Sequence, residues 1–258
     1  MKDFNKIYLT GDIHGDVFNL WERVARNEDE EQITNKDLLF ILGDMAFEFY
    51  SFYSQDAKLH YNDIETQKEV KSINIQPTII CVQGNHDVPF KEMHGNRIKK
   101  FGANMIESNG IYFCENGEVL TINDKTFLVI GGAYSVDKQH RLANNYPWFE
   151  NEELNFDEMK NIYEKVKNKK FDYVLTHTCP YSEMPKEVFL KFVNQKEVNN
   201  KTELFLEKVK NNIDYKHWFC GHWHIDKELE KTSFLFYGVL DLDNYKTNEK
   251  TENKDLIK

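Results

Sequence analysis

Ile79-Ile80-Cys81-Val82-Gln83-Gly84-Asn85-His86-Asp87 joins an apolar run to a glycine and three residues that can bind a metal. The apolar part reads as a buried strand. Four other stretches repeat the arrangement. Ile7-Tyr8-Leu9 leads into Gly11-Asp12-Ile13-His14-Gly15, and Leu38-Leu39-Phe40-Ile41-Leu42 into Gly43-Asp44. Tyr173-Val174-Leu175 leads into Thr176-His177, and Trp218-Phe219-Cys220 into Gly221-His222-Trp223-His224. Open α/β sheets carry their chemistry at the carboxyl ends of the strands, so the five endings are expected to converge in one crevice. Asp12, His14, Asp44, Asn85, His177, His222 and His224 gathered there predict a site for two metal ions. One such residue would be an ordinary strand ending; seven at five strand ends make a pattern.

The spacing within the endings suits metal binding. In an extended segment residues i and i+2 point the same way, about 6.6 Å apart. On that geometry Asp12 and His14 pinch one ion, and His222 and His224 reach two ions held roughly 3.5–4 Å apart. Asp44, directly after a buried strand, suits the bridging position. Asn85 offers a neutral carbonyl oxygen, which leaves the ions strongly Lewis-acidic. Mixed imidazole and carboxylate ligands favour manganese, with iron, cobalt, zinc or nickel as alternatives, over calcium or magnesium.

Around these endings strands and helices alternate. Helical spacing of Val17, Leu20 and Val24 predicts a helix from Asp16 to Asp29, and Ser54 to Ile73 reads as a surface helix. Ile111–Cys114, Val119–Ile122 and Thr126–Ile130, separated by Glu115-Asn116-Gly117 and Asn123-Asp124-Lys125, predict an antiparallel meander. Helices follow at Glu152–Lys167 and Glu203–Val209, and a late strand at Phe234-Leu235-Phe236-Tyr237. The expectation is one α/β domain over residues 1–243, followed by a mobile tail over 244–258 that has lost its apolar period.

Composition narrows the class. The chain has 258 residues, 40% of them apolar and 29% charged, which is a globular balance. No apolar stretch approaches the roughly 20 residues that span a bilayer, so a membrane role is not expected. Met1-Lys2-Asp3-Phe4 enters the first strand almost at once, leaving no room for a signal peptide. Cys81, Cys114, Cys179 and Cys220 form no CxxC pair and read as reduced, buried thiols of a cytoplasmic protein. A formal charge of −10 argues against long nucleic acids as partners. It leaves small phosphorylated substrates open, nucleotides among them, because two divalent ions dominate the local field. The oligomeric state is not legible.

The five endings, in this order across residues 10–224, resemble the blocks D-x-H, G-D, G-N-H-[DE], a lone His and G-H-x-H of the calcineurin-like metallophosphoesterase superfamily. The resemblance implies a four-layer αββα sandwich of two mixed β-sheets flanked by helices. It further implies that Asp12, His14, Asp44 and His224 hold one metal, that Asp44, Asn85, His177 and His222 hold the other, and that His86 sits beside the substrate phosphate. Gly131-Gly132-Ala133-Tyr134-Ser135-Val136-Asp137-Lys138-Gln139-His140-Arg141, with Trp148 following, is similar to small bacterial and phage-type members. One departure bears on activity. In the related serine/threonine protein phosphatases the second block continues through a further Asp and an Arg-Gly pair, whereas here Phe47 stands at that Asp and no arginine follows. Glu48 and Asp87 are then the two candidates to steady His86.

The resemblance implies a metal-dependent phosphatase or phosphodiesterase, cleaving phosphate mono- or diesters by attack of a metal-bridging hydroxide. Asn85 would help to hold the phosphate, and His86 would protonate the leaving alkoxide or stabilise its charge. Lys138 and Arg141 are candidate phosphate clamps, although an exposed charged loop explains them nearly as well. A nucleotide phosphodiesterase acting on cyclic or dinucleoside substrates is the alternative, and a non-catalytic metal-binding scaffold a more distant one. His60, His94 and His217 stand alone and read as surface or structural residues, and His140 as a lesser substrate contact. The Lys/Glu/Asn-rich stretch from Lys186 to Lys201 reads as solvated surface.

Overall fold

The odd and even residues of the short apolar strands bury themselves in different places. In strand β1 (Ile7–Thr10), Ile7 and Leu9 belong to one apolar cluster and Tyr8 to another. In β2 (Leu38–Ile41), Leu38 and Phe40 join the first cluster, Leu39 and Ile41 the second. A strand covered on both faces needs no polar alternation, which is why these segments read as unbroken apolar runs. The computed structural model describes residues 2–26, 33–45, 77–191 and 193–245. Within them lie two mixed sheets.

The first sheet has the order β13-β1-β2-β3-β6-β5-β4. It adds to β1 and β2 the strands β3 (Thr78–Cys81), β4 (Asn96–Lys100), β5 (Ala103–Ser108), β6 (Ile111–Cys114) and β13 (Leu240–Asp241). Strands β1, β2, β3 and β6 run parallel, with antiparallel strands at both edges. The second sheet has the order β11-β12-β10-β9-β8-β7. Its strands are β7 (Glu118–Ile122), β8 (Lys125–Ile130), β9 (Lys170–Thr176), β10 (Asp214–Cys220), β11 (Lys227–Glu228) and β12 (Thr232–Phe234). Here β8, β9, β10 and β12 are parallel.

Phe40 of one sheet meets Phe127 of the other with ring centroids 5.3 Å apart, and the cluster around them fills the space between the sheets. The outer face of the first sheet is covered by helix α1 (Val17–Arg26) through Leu20 and Val24. A short helix α2 (Lys138–Ala143) follows β8. The outer face of the second sheet is covered by α3 (Phe156–Val166) and α4 (Lys201–Lys210), through Met159, Ile162, Phe205 and Val209 among others. This helix–sheet–sheet–helix layering is the expected sandwich.

Several expected boundaries move. Residues 111–130 are not one meander. β6 pairs in parallel with β3, while β7 and β8 form a hairpin in the other sheet. Glu115-Asn116-Gly117 is therefore the crossing between sheets rather than a hairpin turn. Asn116 Oδ1 accepts the Gly131 N–H and Gly117 N–H donates to Val129 O, so the turn is fastened to β8 instead of folding back on β6. The helix expected from Glu152 starts at Phe156, because Asn155 and Glu158 cap each other's backbone N–H groups. Asp16 precedes α1 and accepts the Asn19 N–H at 2.9 Å. The late strand ends at Phe234, after which Asp226 Oδ1 accepts the N–H groups of Phe236 and Tyr237. At the last of the described residues, the Tyr245 hydroxyl bonds Ser233 and Glu228. The expected surface helix at 54–73, the end of the first helix at 27–29, the residues Phe47, Glu48 and His60, and the tail over 246–258 lie outside the described residues.

Candidate metal centre

Five parallel strands, three from one sheet and two from the other, end at the same edge of the sandwich. Beyond β1 stand Asp12 and His14, beyond β2 Asp44, and beyond β3 Asn85 and His86. His177 directly follows β9, and His222 and His224 follow β10. Two groups of ligand atoms result: Asp12, His14 and His224, and Asp44, His177 and His222, each with its atoms within 4.8 Å of one another. Asn85 joins the second group, its Oδ1 lying 2.9 Å from His177 Nε2. Rings of His14 and His224 stand 4.9 Å apart, as do those of His177 and His222.

The ligand loops are not extended. His14, Asp44, His222 and His224 have φ of 52°, 46°, 66° and 50°, in the left-handed region. Non-glycine residues there cost on the order of 1–3 kcal/mol each and persist where the surroundings over-determine them. The i, i+2 argument for Asp12–His14 and His222–His224 thus reached the right neighbours through the wrong backbone. Residues 85–87 are likewise bent. Backbone bonds hold these turns: Asp44 O accepts the N–H groups of Ile13 and His14, Asp44 Oδ1 accepts that of His86 at 2.8 Å, and Asp12 Oδ2 accepts that of His222 at 2.8 Å. Two glycines permit the approach. A Cβ on Gly43 would lie 2.2 Å from His177 Nδ1, and one on Gly84 2.1 Å from Asp44 Oδ1.

Each side chain is oriented from behind. His177 Nδ1 lies 2.8 Å from the Leu42 carbonyl, to which it donates, so Nε2 is left facing Asn85 and Asp44. A ligating imidazole is commonly fixed in this way. Asn85 donates its amide N–H to Ser135 Oγ at 2.8 Å, and Ser135 donates its hydroxyl to Glu152 Oε2 at 2.6 Å. Glu152 Oε1 also accepts the Ser135 N–H. Burial raises Glu152 to about 7; in its ionised form it only accepts, which sets the Ser135 hydroxyl to donate and turns the carbonyl oxygen of Asn85 to the metal groups. His224 stacks on Phe236 at 4.5 Å, and the Arg23 guanidinium lies over the Phe236 ring, 5.4 Å from its centroid. Sequence reading missed Ser135 and Glu152 as supports and Phe236 as a positioning ring. Glu152 lay inside an expected helix and Phe236 inside an expected strand, so neither carried a chemical signal.

Burial dominates the protonation of the centre. It lowers His14 to about 4 and His222 well below its ordinary range, and it lowers His224 and His86 as well. Neutral imidazoles are the form that binds metals. Burial raises Asp12 to about 7, opposed by the nearby His177. Burial opposes the charged form of His177 too, but Asp44 and Asp12 outweigh it and raise this group to about 10. Asp44 is held low by His177 and His86 despite its own burial. The carboxylates therefore gather cations, and the donor set fits two divalent ions.

The remaining expected residues take distinct places. His86 Nε2 lies 3.8 Å from Asp44 Oδ2 and 3.4 Å from Arg141 Nη2. Arg141 is anchored by Asp137 and by the Pro147 carbonyl, which brings it to the site beside His86. Asp87 Oδ2 accepts the Gly84 N–H at 2.6 Å, closing its own turn. Lys138 lies over the Trp148 ring, 3.7 Å from its centroid. His140 is exposed on α2 and His94 is exposed. His217 is fully buried, with Nε2 bonded to Ser233 Oγ.

The model of the calcineurin-like phosphoesterase family matches residues 5–226, which includes every one of these ligands. The chain belongs to the calcineurin-like phosphoesterase family. No curated protein matches it. Family membership and the two ligand groups together make the chain a metal-dependent phosphoesterase. No helix among the described residues is long and apolar enough to cross a membrane.

Proposed function

We propose that this phosphoesterase is dinuclear, and that it hydrolyses small phosphate mono- or diesters by in-line attack of a water-derived nucleophile. The pairing of Asp12, His14 and His224 beside Asp44, His177, His222 and Asn85 carries this reading. When bound, two divalent ions supply Lewis acidity toward phosphate oxygens and lower the pKa of water from 15.7 to about 7. Manganese suits this mixed donor set.

The chain's own residues do the rest. Asn85 offers its amide oxygen to the centre, held in that sense by Ser135 and Glu152. Arg141 meets phosphate charge from the side of His86. Because a guanidinium can only donate, the His86 Nε2 beside it is an acceptor in this arrangement. An approaching ester oxygen would displace Arg141 from that ring, and His86, once Nε2 has taken a proton from solvent or by a change of tautomer, would pass it to the leaving alkoxide or stabilise its charge. Cys81, Cys114, Cys179 and Cys220 are all buried thiols, which supports a reducing, cytoplasmic setting.

Elemental analysis or anomalous scattering of protein reconstituted with excess manganese tests the dinuclear reading. Two ions per chain are expected; one or none would sink it. The same preparation, offered 4-nitrophenyl phosphate, bis-4-nitrophenyl phosphate, cyclic nucleotides and dinucleoside polyphosphates, should turn over at least one class. Two bound ions with no turnover at all would favour a binding scaffold.

A further inference from the structure

A cavity of about 420 Å³ opens directly onto the metal centre, with Asp44, Asn85, His86, His222 and His224 in its lining. Its other wall comes from the segment after β9 that read as solvated surface in the sequence. Phe189 there stacks on Trp223, ring centroids 5.6 Å apart and planes 20° from parallel. Trp223 stands between two ligand histidines, and its indole N–H donates to Thr178 Oγ1 at 3.2 Å, which fixes the ring. Met184 and Val193 extend the apolar wall.

Charge selects what can enter. No lysine or arginine is among the described lining residues, whereas Asp137 and Glu203 are. Away from Arg141, which pairs with Asp137 beside His86, an anionic group would lose its water against an apolar wall with no cation to meet it. A flat uncharged ring instead gains stacking on the aromatic pair. Glu203 adds a second selection. Its Oε1 accepts the Thr178 hydroxyl at 2.9 Å, while Oε2 is buried with no hydrogen-bond partner among the described residues. Glu203 lines the same cavity, and a ring N–H brought to this oxygen would give it the partner it lacks.

We infer that this cavity binds the alcohol half of the ester, and that this half carries a flat, uncharged nitrogen heteroaromatic ring of the nucleobase kind. The inference rests on the phosphoesterase reading above. It adds that the phosphate alone meets the metals and that the organic half is recognised by Phe189 and Trp223.

The test compares adenosine 5′-monophosphate with ribose 5-phosphate, and the methyl diester of each, on the manganese-loaded full chain. Within each pair the ester oxygen is the same primary 5′-oxygen, and the two alcohols differ in the base. Base stacking on aromatic residues supports a preference of about 10-fold to 100-fold in kcat/KM for the base-bearing ester. Phe189→Ala and Phe189→Leu should both bring the ratio toward one, and Phe189→Tyr should retain it. Equal kcat/KM for both members in the wild type overturns the inference and leaves the phosphoesterase reading standing, as does turnover of nitrophenyl esters alone. If no ester of any kind is hydrolysed, the phosphoesterase reading fails instead. Binding then decides the pocket through quenching of tryptophan fluorescence: tighter binding of the nucleotide than of ribose 5-phosphate supports it, and equal binding overturns it.

Discussion

Replacing Ser135 by alanine should loosen one metal and spare the other. The hydroxyl accepts the Asn85 amide N–H at 2.8 Å and donates to Glu152 at 2.6 Å, so the substitution breaks both bonds at once. Ser135, Asn85 and Glu152 are each 2% exposed, which leaves little access for bulk water to replace the lost partners. An unpartnered buried amide costs about 1–3 kcal/mol, and loss of a group that orients a ligand typically weakens metal affinity about 10–100-fold. Asn85 faces His177, in the group with Asp44 and His222, and not the group of Asp12, His14 and His224. A calorimetric titration of stripped protein with manganese should therefore show two steps of which only one weakens, by that factor, while thermal unfolding of the metal-free variant shifts by the smaller stability cost. Ser135→Thr keeps the hydroxyl and should restore the weakened step. Two steps unchanged, or both weakened alike, would refute the assignment of the Glu152–Ser135–Asn85 chain to one site.

Asp44→Asn is expected to abolish turnover and weaken both metal steps together, since Asp44 touches the His86 and His177 sides of the centre; loss of one ion with the other at wild-type affinity would show that it does not bridge. His86→Ala should keep near-normal metal content while kcat falls about 10²–10⁴-fold. The loss should shrink for 4-nitrophenyl esters, whose leaving group needs little protonation; an equal loss on poor leaving groups would favour charge stabilisation by His86. Away from the centre, burial and then the Lys231 charge lower His217 to about 4 from 6.5. The unfolded chain then binds more protons between those values, so this group's contribution to stability is complete above pH 6.5 and is lost as pH falls toward 4. His217→Gln should flatten that limb of a stability–pH profile measured by denaturant unfolding; an unchanged limb would exclude His217 as its source.

The seven ligand residues were legible because each follows an apolar run, and a run buried on both faces needs no tertiary information to be recognised. The mixed character of the two sheets was not read from periodicity; it came with the resemblance. The mistaken meander shows why. Alternation tells that Ile111–Cys114 and Val119–Ile122 are strands, yet says nothing of which strand each will pair with. That choice fell to the bonds from Asn116 and Gly117 to β8. The stretch from Lys186 to Lys201 misled for the opposite reason. Its charged and amide residues together outnumber its apolar ones, so its composition reads as surface, and only the packing of Phe189 on Trp223 turns part of it into a wall.

Sequence by itself determined which chemistry this chain carries, because ligand type and strand-end position are local properties written in consecutive residues. Tertiary structure alone decided how that chemistry is aimed. The left-handed turns at His14, Asp44, His222 and His224, the Ser135–Glu152 anchor behind Asn85 and the Phe236 ring against His224 all depend on groups far apart in the chain. Their orientation is set by hydrogen bonds and ring contacts that exist only after the two sheets have closed on the shared core around Phe40 and Phe127.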